Sequence, residues 1–221
     1  MNLFAVAFTA GAVAVTWLEA LAFVLSIVMV VCNMRVNPLA WPLAMASSAL
    51  YFALFWRSRL YGDALLQVLF VAVAVWGWRQ WLRGTAPDGG ALKVTWLSGR
   101  GRLALVAAVA VAWPVTGLVL RHATDSDVPW WDAFPTAASV VNQWLVGRKH
   151  VESWAVWIAV NAVAAALFAH KALWLTMVLY LLFIALSVAG WRAWARLAAQ
   201  GRADARTGTA AGGPATAPAG R

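Results

Sequence analysis

Long apolar runs separated by short polar interruptions dominate the chain. A helix needs about 20 mostly apolar residues to cross a membrane, with a range of roughly 17–25. The apolar positions here are continuous and do not alternate, which favours helices over the strands of a membrane barrel. We therefore predict seven membrane-spanning helices, at residues 17–34, 38–56, 61–81, 103–121, 130–147, 153–169 and 173–194.

The composition agrees with an integral membrane protein. Of the 221 residues, 63% are hydrophobic and 11% are charged, whereas a soluble domain has about 45–50% apolar and about 25% charged residues. The net charge of +9 could indicate nucleic-acid binding, but the arginines cluster at the ends of apolar runs, as membrane orientation requires. We predict an all-α protein of the lipid bilayer that binds no nucleic acid.

The lysines and arginines orient the predicted spans. If the C-terminus is cytoplasmic, thirteen of the 17 basic residues fall on the cytoplasmic side and four on the outer side. Cytoplasmic loops carry an excess of Lys and Arg. We therefore predict a multi-pass protein with a cytoplasmic C-terminus.

Three stretches lie outside the regular pattern of spans. Residues 1–16 are apolar without a preceding basic segment, so we expect an interfacial segment or partial helix that stays in the mature protein. Residues 84–129 form a linker that contains one span. Residues 197–221 are rich in Ala, Gly, Pro and Arg, and we expect a disordered cytoplasmic tail there.

The chain repeats itself at an offset of 113 residues. The pentapeptides GWRQW (77–81) and GWRAW (190–194) both end apolar runs, and the same offset aligns four Trp pairs and three Arg pairs. Among the aligned pairs are Trp17 with Trp130, Ser26 with Ser139, Arg35 with Arg148, and Trp41 with Trp154. We predict a duplication, with repeat one at 17–83 and repeat two at 130–196.

The intervening span restores the orientation of the second repeat, because each repeat contains an odd number of spans. The expected architecture is a 3+1+3 arrangement of parallel repeats, like that of the SWEET transporters. Both pentapeptides then end equivalent helices at the cytoplasmic interface. We expect their indole rings and arginines to anchor the helices among the lipid headgroups.

Polar residues inside the spans indicate a binding site, because such residues are costly in lipid and usually face a bundle interior. Trp154, Trp157 and Asn161 have the spacing i, i+3 and i+7 and share one helix face. Thr176 and Tyr180 follow at i, i+4 on the next span.

The equivalent faces of the first repeat carry different polar and aromatic groups. Trp41 corresponds to Trp154, Gln67 corresponds to Tyr180, and Ser47 lies near the same face. A pseudo-symmetric cavity that holds an asymmetric small molecule would have this pattern. For Trp41 and Trp154 an aromatic-belt role is an alternative, and Gln67 could instead bond to a neighbouring helix.

Enzyme chemistry finds no support in the sequence. His122, His150 and His170 lie outside the predicted spans, and no two stand at metal-ligand spacing. No phosphate-binding loop or nucleophile motif is present. We expect no catalytic residue, no metal and no cofactor.

Two stretches resemble the signature regions of the PnuC family, and the likeness extends from Trp17 to Trp194. They are LYGDALLQVLFVAVAVWGWRQWLRG (60–84) and GRKHVESWAVWIAVNAVAAALFAHKALWLTMVLYLLF (147–183). The linker ALKVTWLS (91–98) is also similar. Members of this family are bacterial inner-membrane transporters of vitamin precursors, chiefly nicotinamide riboside.

The resemblance implies a trimer of seven-span subunits that works by facilitated diffusion, with an intracellular kinase that traps the product. It implies binding through Trp154, Trp157, Asn161 and Gln67. Ser47 is a departure, because the family commonly has Asn at that position. A transporter of thiamine, riboflavin or nucleosides remains an alternative, as does a membrane ligand sensor that transports nothing.

The predicted orientation can be tested with single cysteines. Ala211→Cys in a Cys32→Ala background should resist a membrane-impermeant thiol reagent in intact cells, because the C-terminal tail would be cytoplasmic. Asp125→Cys, on the predicted outer side, should react. Rapid labelling at position 211 with none at position 125 would reverse the orientation.

Overall fold

Seven helices account for nearly all of the described chain. The computed structural model describes residues 5–10, 13–57, 61–86, 89–124, 128–170 and 174–211. The helices agree in number and place with the seven predicted spans, to within a few residues except at the C-terminal end of the last. They are α1 (Trp17–Met34), α2 (Ala40–Arg57), α3 (Tyr61–Arg83), α4 (Gly99–Ala123), α5 (Pro129–Gly147), α6 (Glu152–His170) and α7 (Trp174–Ala211).

Three of the described helical stretches are long and apolar enough to cross a membrane by length and composition, and a shorter apolar stretch lies in α1. The three are Gly99–Ala123, Glu152–His170 and Met177–Ala205, and the shorter one is Phe23–Met34. Helix α5 is not among these three stretches, and it carries the polar residues Asp132, Asn142 and Gln143. The side chain of Asn142 is fully buried, so α5 places polar groups in the bundle interior.

The N-terminal segment forms a β-hairpin, so the expectation of a partial helix is wrong. Strands β1 (Val6–Ala10) and β2 (Val13–Thr16) pair antiparallel, with Thr9 opposite Ala14. Val and Thr recur through both strands, and β-branched residues favour extended backbone. The described chain is therefore all-α apart from this hairpin.

Helix α7 continues well beyond the last predicted span. It runs for 38 residues to Ala211, so the expected disorder does not hold for residues 197–211. Ala and Arg are strong helix formers and are frequent in this extension. Ala198 is buried in the same cluster as Trp194. Residues 212–221 lie outside the described part of the chain.

The same helix contacts occur in both halves of the chain. Helices α1, α2 and α3 pack in sequence, and so do α5, α6 and α7. The halves meet where α1 contacts α7 and where α3 contacts α5. Helix α4 packs against α5 and contacts α6 through the Arg102–Glu152 ion pair, so most of its apolar surface is left uncovered.

Each half contains a tryptophan ring seated on a glycine of the neighbouring helix. A Cβ atom at Gly77 would collide with the ring of Trp41, and a Cβ at Gly190 would collide with the ring of Trp154. The two glycines are themselves 113 positions apart. Glycine is required at these two positions because only a bare backbone admits the indole so closely.

The last tryptophan of each pentapeptide completes this cluster. Trp81 stands edge-on to Trp41 and Trp194 stands edge-on to Trp154, both with ring centroids 5.6 Å apart. Trp81 Nε1 donates to the Val146 carbonyl, and Trp194 Nε1 donates to the Asn33 carbonyl, both over 2.9 Å. Each ring is therefore bonded to the opposite half of the chain.

Burial distinguishes the two tryptophans of each pentapeptide. Trp81 and Trp194 are 6% and 0% exposed, whereas Trp78 and Trp191 are 36% and 38% exposed. The predicted interfacial role therefore does not describe Trp81 and Trp194. They stand at i+4 from Gly77 and Gly190, and thus on the same packed helix face.

The glycine contact predicts opposite effects for two substitutions in α7. Gly190→Ala should lower the stability of the protein by about 1–3 kcal/mol, because the added methyl group would overpack the Trp154 ring. Gly201→Ala is the matched control, because a Cβ at Gly201 meets no atom within 4 Å. It should be neutral or stabilising, since alanine favours the helix. Thermal unfolding in detergent measures both, and equal melting temperatures would contradict the close contact.

Candidate functional site

A cavity of about 410 Å³ lies among α1, α5, α6 and α7, with one contribution from α3. Small-molecule sites typically occupy about 300–1,000 Å³. Aromatic side chains form much of its wall, and several small polar side chains interrupt it. The aromatic residues are Phe70, Trp154, Trp157, Tyr180, Phe183 and Trp194. The polar residues are Ser26, Asn33, Thr136, Ser139, Ser153, Asn161 and Ser187.

The structure brings four of the predicted site residues together. Trp154, Trp157 and Asn161 project from one face of α6 into the cavity, and Tyr180 enters from α7. Tyr180 is held between Phe168 and Phe183, at centroid distances of 5.1 and 6.1 Å. Asn161 is only 8% exposed, so its amide can form hydrogen bonds to a bound molecule with little competition from water.

The first half contributes less than the sequence suggested. Trp41 is 4% exposed against Gly77, and neither it nor the half-buried Ser47 and Gln67 lines the cavity. Phe70, almost one turn beyond Gln67, lines it instead. Residue 176 lies in α7, and its side chain is outside the described part. The two repeats therefore contribute unequally to the cavity wall.

Trp154 and Trp157 have different surroundings. Trp154 is 4% exposed and belongs to the buried tryptophan cluster, while Trp157 is half-buried and packs against that cluster from outside. Because Trp157 lines the cavity and is less buried than Trp154, its ring is the more accessible of the two to a ligand. Trp154 serves the core and the cavity wall together.

Several lining residues were not among the predicted site residues. Ser26 of α1 and Ser139 of α5 both line the cavity, and they are repeat partners at the 113-residue offset. Their alignment could have identified them. Asn33 and Ser153 also line it. The sequence pointed less clearly to Asn33 and Ser153, because a polar residue at the end of an apolar run is usually exposed to water.

The described part of the cavity wall carries no charged side chain. None of its described residues is Lys, Arg, His, Asp or Glu. Within the described ranges, no three His, Cys, Asp or Glu residues lie close enough to hold a metal ion. The described wall can therefore recognise aromatic rings and hydrogen-bonding groups, but it offers no counter-ion for an anionic ligand.

Charged residues gather instead between α5 and α6. Glu152 accepts hydrogen bonds from the Leu97 N–H, over 3.0 and 3.2 Å, and from Arg102 Nε over 2.9 Å. Lys149 donates to the Leu92 carbonyl and places Nζ 5.2 Å from the Trp81 ring centroid. These contacts hold the segment around residues 92–102, which precedes and begins α4, against the start of α6.

The linker crosses the bundle end beside the tryptophan cluster. Thr95 forms a parallel bridge with His150, and Val94 and Trp96 pack against the buried tryptophans. Burial lowers the pKa of Lys149 and also that of His150. Among the described contacts, the Lys149 ammonium meets the Leu92 carbonyl and the Trp81 ring but no carboxylate.

Several known proteins are similar to this chain over most of its length. The family model described as nicotinamide mononucleotide transporter matches residues 16–196. The nicotinamide riboside transporter PnuC of Escherichia coli (strain K12) is 24% identical, covering 84% of this chain and 87% of the relative. The riboflavin/roseoflavin transporter RibM of Streptomyces davaonensis is 29% identical, covering 81% and 85%.

A solved structure has the same fold. It is described as the crystal structure of the vitamin B3 transporter PnuC, with a TM-score of 0.67, 27% sequence identity and coverage of 83% of both chains. The matched family model spans all seven helices up to the extension of α7. The chain therefore belongs to the nicotinamide mononucleotide transporter family.

Proposed function

We propose that this protein transports a vitamin precursor, nicotinamide riboside, across the bacterial inner membrane by facilitated diffusion. The observation that carries the proposal is the uncharged cavity in which Trp157, Asn161 and Tyr180 meet. The family and its curated relatives make transport the expected activity. The cavity supports the choice of substrate.

The aromatic wall suits a cationic pyridinium ring. A cation over the face of an indole gains about 2 kcal/mol or more where water is excluded. Trp157 offers a partly free indole in the cavity. Asn161, one turn further along α6, offers donors and an acceptor that match a carboxamide. Ring and amide recognition would thus come from one helix face.

The absence of charge favours the riboside over the mononucleotide. A phosphate monoester carries about −1.5 to −2 charges at neutral pH, and burial of an unpaired charge is strongly unfavourable. No described cavity residue is cationic, so a phosphate would lack a partner. The substrate we propose is therefore the nucleoside, despite the nucleotide in the family description.

The same lack of charge supports passive transport. Coupling to protons or sodium requires ionisable or ion-coordinating groups along the transport route. The described cavity wall has no ionisable group except the Tyr180 phenol. Net uptake would then depend on a cytoplasmic kinase that phosphorylates the substrate. The phosphorylated product would no longer fit the cavity and so would not be carried out again.

The proposed architecture is the 3+1+3 arrangement of parallel repeats, with the C-terminus in the cytoplasm. The equivalent glycine–tryptophan contacts and the two reciprocal indole hydrogen bonds support it, since they recur at the 113-residue offset. On α4, Leu103, Val106 and Val111 are 72%, 64% and 65% exposed. Lipid or another subunit of the proposed homotrimer would cover them.

Riboflavin is the second candidate substrate. The relative RibM is a riboflavin/roseoflavin transporter and is 29% identical. A flavin also combines a flat heteroaromatic ring with a hydroxylated chain, so the aromatic and polar wall would suit it. Binding measured in parallel for nicotinamide riboside, thiamine and riboflavin distinguishes the candidates. A ligand sensor would bind one of them without flux.

Trp157→Ala should weaken binding of nicotinamide riboside by about 5- to 150-fold, because an aromatic stacking partner contributes about 1–3 kcal/mol. Isothermal titration of the purified protein measures the change. Trp131→Ala is the matched control, since Trp131 is 55% exposed on α5 and does not line the cavity. Equal affinities for the Trp157 variant and the wild type would remove Trp157 from the site.

Uptake into vesicles that contain the purified protein should stop when the internal substrate concentration equals the external one. The reason is that the described cavity wall offers no carboxylate or other charged group for ion coupling. An imposed proton or sodium gradient should leave this plateau unchanged at zero membrane potential. Accumulation above the external concentration that an ionophore abolishes would contradict passive transport.

A further inference from the structure

Three polar atoms in the cavity wall are buried without a hydrogen-bond partner. They are Asn33 Oδ1, Ser153 Oγ and Trp154 Nε1, and all three residues line the same cavity. Ser153 is 1% exposed. Buried polar groups are nearly always hydrogen-bonded, and an unpaired one is destabilising. Trp41 Nε1, the repeat counterpart of Trp154 Nε1, is also unpaired although Trp41 does not line the cavity. The side chains of Asn33 and Ser153 are therefore the ones that indicate a ligand that completes their hydrogen bonds.

The fold itself does not use the side chains of Asn33 and Ser153. Asn33 accepts the hydrogen bond of Trp194 through its main-chain carbonyl. Ser153 accepts a hydrogen bond from Asn142 Nδ2, also through its main-chain carbonyl over 3.1 Å. Any residue at these two positions supplies a carbonyl, so these structural contacts do not explain the polar side chains.

The other repeat shows what these positions need for folding. The counterpart of Asn33 is Val146, and the counterpart of Ser153 is Ala40. Val146 accepts the hydrogen bond of Trp81 in the same manner as Asn33 accepts that of Trp194. Both counterparts are buried and apolar. Ala40 does not line the cavity, so at this position only the copy that faces the cavity is polar. Val146 and Asn33 both line the cavity, and Asn33 is the polar member of that pair.

We propose that Asn33 and Ser153 form a hydroxyl-binding subsite that holds the sugar portion of the substrate. This inference rests on the proposed function and extends it to a second part of the ligand. Asn33 Oδ1 accepts a hydrogen bond, Trp154 Nε1 donates one, and the Ser153 hydroxyl does both. Neighbouring hydroxyls of a ribosyl or ribityl group donate and accept in the same way.

The position of the subsite along α6 agrees with this assignment. Ser153 precedes Trp157 by four residues and Asn161 by eight, or about 6 and 12 Å along a helix axis at about 1.5 Å per residue. A ring stacked on Trp157 with its amide toward Asn161 would direct its sugar toward Ser153. Asn33 approaches from the end of α1.

The test replaces each residue by its counterpart from the other repeat. In Asn33→Val and Ser153→Ala, affinity for nicotinamide riboside should fall by about 3- to 10-fold each, the loss expected for one hydrogen bond. Affinity for nicotinamide, which has the ring without the sugar, should not change. Melting temperatures without ligand should be equal to the wild type or higher, because an unpaired buried polar group is removed.

Three results would overturn the subsite. They are an unchanged affinity for the riboside, an equal loss for riboside and nicotinamide, or a lowered melting temperature in both variants. Trp157→Ala distinguishes a failure of the subsite from a failure of the proposed function, because this substitution should weaken the binding of both nicotinamide riboside and nicotinamide. If the wild type binds neither nicotinamide riboside nor riboflavin, the proposed function and the subsite fail together.

Discussion

The close contact between an indole ring and a glycine backbone is the constraint on which the rest of the structure depends. Trp41 lies on Gly77 and Trp154 lies on Gly190, so at these points only an indole ring separates α2 from α3 and α6 from α7. Trp81 and Trp194 close against those rings and bond to the opposite half. Packing without voids makes such a cluster rigid. The start of α6 is fixed by it.

The site follows from how α6 is held. Trp154 is immobilised in the cluster, and Trp157 and Asn161 follow it on the same helix face. Glu152, the first residue of α6, accepts hydrogen bonds from the Leu97 N–H and from Arg102 Nε. Arg102 is 55% exposed at its side chain, so the ion pair itself contributes little. The bonds to the linker mainly keep α6 in register with α4.

A duplicated framework with an unequal set of polar residues is suited to an asymmetric ligand. The framework contacts recur in both halves, because both must satisfy the same packing and hydrogen-bond requirements. The described cavity wall receives nothing from α2, although α6 lines it over three turns. Val146 and Ala40 are apolar, whereas Asn33 and Ser153 at the corresponding positions carry polar side chains that line the cavity. Duplication followed by divergence at such positions gives one polar cavity within a symmetric bundle.

The sequence by itself determined the seven helices, the 113-residue offset and the shared face of Trp154, Trp157 and Asn161. These features depend on run length and on helical periodicity, which are local properties. Only the tertiary structure decided that Trp81 is buried while Trp78 is exposed, and that Gln67 stands outside the cavity. It likewise decided that Asn33 and Ser153 line one cavity from two distant helices. Periodicity states which residues share a face, but only the neighbouring helix determines whether that face meets lipid, a tryptophan ring or a cavity.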